Sequence, residues 1–207
     1  MSSPGLRARK KDRTRATITR VALELFARDG FAATTLSAIA DAADVSPRTV
    51  STYFPSKEGI VFGAFEPAID RLRARLEARE PGTPVVDVVR AWLSAEESEP
   101  ADASSAIVRA PGNGEVDFAR LRAEAIARDP HLWALQRRRM LDVGRLIADA
   151  AAEELGGDGL GARVIGATTV AALLELNGHA AREGVAMTDQ LEVVLAFVQA
   201  GAATLQK

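Results

Sequence analysis

The sequence predicts an all-α protein, a small N-terminal helical domain followed by a larger helical one. Apolar residues recur at i, i+3, i+4 and i+7 in segment after segment, the spacing of a helix with one buried stripe. No stretch keeps up the strict alternation of a half-buried strand, and no internal repeat or low-complexity block appears. The breaks between segments are helix punctuation: Gly30, Pro81-Gly82, Asp129-Pro130 and Gly156-Gly157. A chain of 207 residues can bury a core either as one large domain or as a small domain plus a larger one.

Charge divides the chain the same way. Residues 1–58 hold ten Lys and Arg against six Asp and Glu, a net +4, whereas the remainder holds sixteen against twenty-two, a net −6. A basic head on an acidic body is the distribution expected when only the head meets nucleic acid. The absence of cysteine excludes a disulfide scaffold and thiolate metal sites, and fits a reducing cytoplasm. The start, MSSPGLRARKKDRTR, is basic but lacks the apolar run of a signal peptide.

Residues 1–8 read as a disordered tail. A first helix begins over Arg9 to Arg15 and buries Ile18, Val21, Ala22, Leu25 and Phe26 before Gly30 stops it. The basic tail is either a solubilising end or a contact to phosphates or the minor groove; the neighbouring motif favours the second.

That motif is TTLSAIADAADVSPRTVSTYFPSKE, residues 34–58. Thr34 or Thr35 can cap a short helix whose inward face is Leu36, Ile39, Ala40 and Ala43. Asp44-Val45 forms the turn. Ser46 is an N-cap, Pro47 sits at N1 where its missing N–H costs nothing, and Val45 can staple against Val50. Val50 and Phe54 face the first of the two helices, so Arg48, Thr49, Ser51, Thr52 and Tyr53 point outward. Hydroxyls, a phenol and a guanidinium, with no carboxylate among them, suit phosphate oxygens and base edges. Two helices at this spacing form a helix-turn-helix.

The stretch closely resembles the N-terminal DNA-binding domain of the TetR family of bacterial transcriptional regulators. The shared residues are Gly30-Phe31, Thr34-Thr35, Ile39-Ala40, Val45-Ser46 and Tyr53 to Glu58, covering roughly the first quarter of the chain in one register. Asp44 replaces the family's usual turn Gly, Pro47-Arg48 a common Lys-Gly pair, and Ser51 a common aromatic; Asp tolerates a left-handed turn. The resemblance implies a DNA-binding domain over 9–55, with Thr35, Ser46, Pro47, Arg48, Thr49, Ser51, Thr52, Tyr53 and Lys57 as DNA-contacting residues. Tyr53 and Lys57 resemble the family's backbone contacts. It also implies a domain over 56–207 that binds an effector and dimerises, and a palindromic or near-palindromic double-stranded operator.

Along the body, Ser56 caps a helix that should run unbroken to about Ala78 on the stripe Ile60, Val61, Ala64, Phe65, Ala68, Ile69, Leu72 and Leu76. It is longer than the head needs and should reach into the body. Further helices are expected over Pro84 to Ala95, Glu115 to Arg128, His131 to Leu155, Gly161 to about Glu183, and Thr188 to Leu205. Residues 96–114 read as a loop with one helical turn near 106–109. The helix from Gly161 is apolar nearly all round, so it is either deeply buried in a monomer or covered on one side by a second subunit. The resemblance favours a homodimer through the last two long helices. Arg163, Glu175 and Arg182 interrupt any span of about 20 apolar residues, so no membrane helix is expected.

Neither His131 nor His179 has the partners of a catalytic base or a metal ligand, and no phosphate-binding Gly loop occurs. No catalytic residues, metal site or cofactor are expected. His179 and Asn177 form a core contact, an interfacial bond or a ligand handle. Trp92, Phe118, Trp133, Met140 and Asn177 are the candidate ligand-binding residues, with plain core as the alternative. Arg137-Arg138-Arg139 reads as a solvated face. The body is loosely similar to relatives that sense acyl-CoA or other lipid-like molecules, which implies an acyl-type effector. The expectation is therefore a cytoplasmic, ligand-responsive repressor; the alternative is a small all-α enzyme or scaffold whose N-terminal bundle only resembles a DNA reader.

Overall fold

The computed structural model describes residues 5–98, 118–157, 159–183 and 188–204. Every regular element among them is helical: α1 Leu6–Asp29, α2 Leu36–Ala42, α3 Pro47–Tyr53, α4 Lys57–Phe62, α5 Phe65–Glu77, α6 Val85–Ser98, α7 Phe118–Arg128, α8 Pro130–Leu155, α9 Leu160–Glu183 and α10 Thr188–Ala203. They fall into two compact units. The first holds the described residues up to Glu66 and from Phe118 to Trp133; the second holds 67–98 and the described residues from Ala134 onward.

In the first unit α1 supplies the long wall. Ile18, Val21, Ala22, Leu25 and Phe26 are all buried, as their spacing predicts, and so are Ile39 and Ala40 of α2, Val50 of α3, Phe54 just after it, and Ile60 and Val61 of α4, with α2 and α4 packed on α1. Burying each such side chain contributes about 1.5–3 kcal/mol before chain entropy is counted. α1 starts at Leu6, so residues 6–8 are helical where the sequence suggested a disordered tail. α7 also packs on α1 and buries Phe118, Leu121, Ala125 and Ile126.

The helix from Ser56 does not run unbroken to Ala78. It stops at Phe62, turns at Gly63-Ala64 and restarts at Phe65. Two local causes act together. A Cβ on Gly63 would stand 2.4 Å from the Gly59 carbonyl and 3.2 Å from Arg15 Nη2, a space only glycine fits. Pro67 has no N–H to donate to the Gly63 carbonyl, and it is tolerated because it lies in the first turn of α5, where N–H groups lack intrahelical partners anyway.

The second unit packs α5 on α6 and α9 on α10, with α10 also against α6. Its core includes Leu72, Leu76, Val89, Leu93, Ile147, Ile165 and Leu195. Arg71 holds the buried Glu96 through two parallel bonds, Nε to Oε1 at 2.6 Å and Nη2 to Oε2, the paired geometry that makes a buried carboxylate tolerable. Arg79 donates to the Ala150 carbonyl at 2.9 Å, and Glu154 accepts from the Val85 N–H at 2.9 Å, tying the end of α8 to the turn before α6. α6 runs to Ser98, past the expected Ala95. Of the expected loop, 99–114 lies outside the described residues, as do 115–117 and Leu205.

By length and composition alone Leu160–Ala180 is long and apolar enough to cross a membrane even with Arg163 and Glu175 inside it, a test that the core helix of a soluble protein passes as well. Here it is a core helix on one side, burying Ala162, Ile165, Thr169, Val170 and Leu176. Its other side is left uncovered by the described residues, with Leu160 70% and Val164 41% exposed, and on α10 Val193 and Phe197 are 71% and 73% exposed.

Candidate nucleic-acid interface

The surface that could read nucleic acid is the outer face of α3, held in place from three sides. The Thr35 hydroxyl accepts the Ala38 N–H at 3.1 Å and so fixes the start of α2. Thr34 instead turns its hydroxyl back to the Gly30 carbonyl at 2.8 Å and is buried. At the far end of α2 the chain reverses through Asp44, whose φ of 53° is the left-handed conformation that its short polar side chain tolerates. The Val45 N–H bonds the Ala40 carbonyl at 3.0 Å across that turn.

α3 then opens as its residues dictate. The Ser46 hydroxyl accepts the Thr49 N–H at 3.1 Å and pairs with the Thr49 hydroxyl at 2.8 Å, with Pro47 in the first turn. Val50 and Phe54 are buried on the inner side. Arg15 of α1 lies over the Phe54 ring, 4.8 Å from its centroid, bracing the end of α3. These contacts leave Pro47, Arg48, Ser51 and Thr52 exposed and Thr49 and Tyr53 half-buried. The Thr52 hydroxyl donates to the Arg48 carbonyl at 2.8 Å, which leaves its oxygen as an acceptor. Arg48 carries its donors outward with no hydrogen bond or ion pair to any described residue.

Lys57 is placed differently from Arg48. Its ammonium donates to the Phe31 carbonyl at 2.5 Å and the Thr34 carbonyl at 2.8 Å, and sits 4.4 Å from the Phe31 ring centroid. It therefore clamps the loop between α1 and α2, with one of its three donors left over. Ser56 caps α4 by accepting the Gly59 N–H at 3.1 Å.

Three bracing contacts in this unit were not foreseen. The Arg122 Nε of α7 donates to the Val61 carbonyl at the end of α4 at 2.8 Å, and burial pulls its guanidinium down to about 10, still charged at neutral pH. Arg128 donates to the Ala27 carbonyl near the end of α1. His131 stacks near Phe31 and lies 3.4 Å from the Glu58 carboxylate. Burial pushes that carboxylate up, but the Glu58 backbone N–H, the Ser56 hydroxyl and His131 together outweigh it and hold the group below its ordinary 4.5.

The candidate ligand residues scatter. Phe118 is buried on α7 and Trp133 is 52% exposed at the start of α8, both in the first unit. In the second, Trp92 is core, its indole N–H donating to the Ala68 carbonyl at 3.0 Å. Met140 lines a groove of about 370 Å³, and Asn177 and His179 are half-buried on α9. Arg137 and Arg138 are exposed, as read from the sequence, whereas Arg139 is half-buried, so the triplet is not a wholly solvated face.

Comparison with known proteins agrees with this geometry. The chain is 42% identical over 81 residues to the HTH-type transcriptional regulator TcmR of Streptomyces glaucescens, covering 39% of this chain and 36% of that one. The match spans less than half the length of the curated relatives. Among solved structures, NalD, the secondary repressor of the MexAB-OprM multidrug efflux pump in Pseudomonas aeruginosa, aligns at a TM-score of 0.60 and 21% identity over 93% of this chain and 97% of that one. FadR of Thermus thermophilus, a repressor solved with lauroyl-CoA, aligns at 0.51 and 23% identity over 89% and 93%. At such identities these structures speak for the fold alone. The family model "Bacterial regulatory proteins, tetR family" matches residues 18–64, the helices whose caps, turn and outer face are described above.

Proposed function

We propose that the chain is a DNA-binding transcriptional regulator, with 9–55 as the DNA-binding domain and 56–207 as the effector-binding and dimerisation domain. The observation that carries the reading is the outer face of α3: Arg48, Ser51 and Thr52 exposed on a doubly capped helix, with no carboxylate in the helix and Val50 and Phe54 locking its inner side. Such a face supplies donors to base edges and phosphates at low ordering cost. A homodimer through α9 and α10 would cover the apolar positions that a single chain leaves open, Leu160, Val193 and Phe197 among them. Its two-fold symmetry calls for a palindromic or near-palindromic operator. The chain then acts in the cytoplasm as a repressor released by a small hydrophobic or acyl-type effector; the repressor role is carried over by analogy from NalD and FadR, both named as repressors, and the acyl type from FadR, solved with lauroyl-CoA. The test is fluorescence anisotropy with the DNA upstream of the protein's own gene, at several salt concentrations, against unrelated DNA. Preferential, salt-dependent binding supports the reading; turnover of some substrate with no DNA affinity would favour an enzyme.

A further inference from the structure

The basic start of the chain reads from sequence as a tail, but from Leu6 onward it is the first turns of α1. Packing against the rest of the first unit begins further along. The first buried side chain described on α1 is Ile18, whereas Lys10, Lys11, Asp12 and Arg13 are exposed. Residues 6–13 therefore form a helical overhang of about 12 Å at the helical rise. At about 100° per residue, Lys10, Lys11 and Arg13 fall within an arc of about 160° on one side of it, and Asp12 falls on the other. None of these three cations makes a side-chain hydrogen bond or ion pair with any described residue.

Arg15 fixes where the overhang leaves the unit. Its guanidinium lies 4.8 Å from the centroid of the Phe54 ring, at the end of α3, and its Nη2 stands 3.2 Å from the place of a Cβ on Gly63. Lys11 is one turn before Arg15 on the same helix, so the cationic side begins beside the end of the reading helix. A duplex that admits α3 presents a major groove about 12 Å wide between two phosphate rails, a span the overhang matches. Unpaired cations with the nearest carboxylate turned away suit phosphate oxygens, and a helix already formed holds them there at low ordering cost. We propose that residues 6–13 of α1 are a second DNA contact, a rigid arm whose Lys10, Lys11 and Arg13 bind backbone phosphates flanking the base pairs that α3 reads. The assignment deepens the DNA-binding reading and rests on it.

The test is fluorescence anisotropy of the intact protein at several salt concentrations, with the DNA upstream of its own gene and with unrelated DNA of the same length. The triple variant Lys10→Gln, Lys11→Gln, Arg13→Gln should make the slope of log affinity against log salt shallower by about 2–3 per subunit. At about 0.15 M salt it should bind both DNAs about tenfold or more weakly, with the ratio between them unchanged, because phosphates carry no sequence. Gln keeps the helix propensity of Lys, and a circular dichroism spectrum equal to wild type ties the loss to charge. Lys10→Gln alone should lower the slope by about 1 per subunit, whereas Asp12→Asn, the same unit change in charge on the opposite side, should leave it in place. An unchanged slope in the triple variant overturns the proposal, as does a changed ratio between the two DNAs, which would make the arm a base reader. Equal and opposite shifts from Lys10→Gln and Asp12→Asn overturn it too, since net charge alone would then be acting. Wild type that binds neither DNA removes the DNA-binding reading along with the arm; wild type that binds while the triple variant keeps its slope removes the arm alone.

Discussion

Arg48 and Lys57 show how two cations of one motif take different work. Arg48 is exposed and unengaged on the outer face of α3, so Arg48→Ala should cost about 1–3 kcal/mol of affinity on the preferred site and relax sequence choice, as loss of a bidentate base contact does. Anisotropy on the preferred site and its single-base variants checks this, and uniform weakening would reassign Arg48 to the phosphates. Lys57 already satisfies the Phe31 and Thr34 carbonyls, so Lys57→Ala should lower stability by about 1–3 kcal/mol in urea unfolding. Should its remaining donor reach a phosphate, the slope of log affinity against log salt also falls by about 1 per subunit. Loss of stability with an unchanged slope makes it a clamp alone. The outward face of α3 was legible in the sequence because its caps and buried positions lie within a few residues of one another. The clamp was not, since Lys57 meets carbonyls 26 and 23 residues away and nothing local announces them.

At the scale of elements, the caps of α2, α3 and α4 were readable from Thr35, Ser46, Pro47 and Ser56, because capping is local chemistry. The break between α4 and α5 was masked by a continuous stripe, Ile60 and Val61 through Ala68 and Ile69, although Gly63 and Pro67 were its signals. Gly63→Ala should therefore destabilise the protein by about 1–3 kcal/mol, since the new methyl meets the rigid Gly59 carbonyl. A thermal midpoint equal to wild type would show that the turn can shift freely. The bracing of α4 and α1 by Arg122 and Arg128 was illegible for the same reason as the Lys57 clamp: the partners are 61 and 101 residues apart. Glu58, at the start of α4, gives this region a pH dependence. Its folded carboxyl lies below the ordinary 4.5, so its contribution is fully present above that value and is lost as pH falls through the folded one. Stability curves of wild type and Glu58→Gln should differ most above about pH 5 and converge in stronger acid; a constant gap would mean that the carboxylate's ionisation is irrelevant.

For the whole molecule, the segmented α4 and α5 change the expected route of communication. A single unbroken helix from Ser56 would have been the one lever between DNA reader and body. Instead the chain passes from one compact unit to the other inside α5 and again inside α8, whose first residues carry the His131 contact to Glu58. Regulation then needs two global states and an effector that prefers one of them. In a dimer, the two α3 helices must stand about 34–36 Å apart, or a whole number of helical turns, to enter successive major grooves. An effector that favours a different separation lowers operator affinity only by its differential affinity for the two states. Linkage requires the reverse as well: operator DNA must weaken effector binding by the same factor. Titrating effector in the presence and absence of operator, and operator in the presence and absence of effector, measures both sides of that cycle. Equal factors greater than one establish a ligand-released repressor, a factor below one makes the effector a co-repressor, and independent binding removes ligand control while leaving the DNA-binding role of α3 in place.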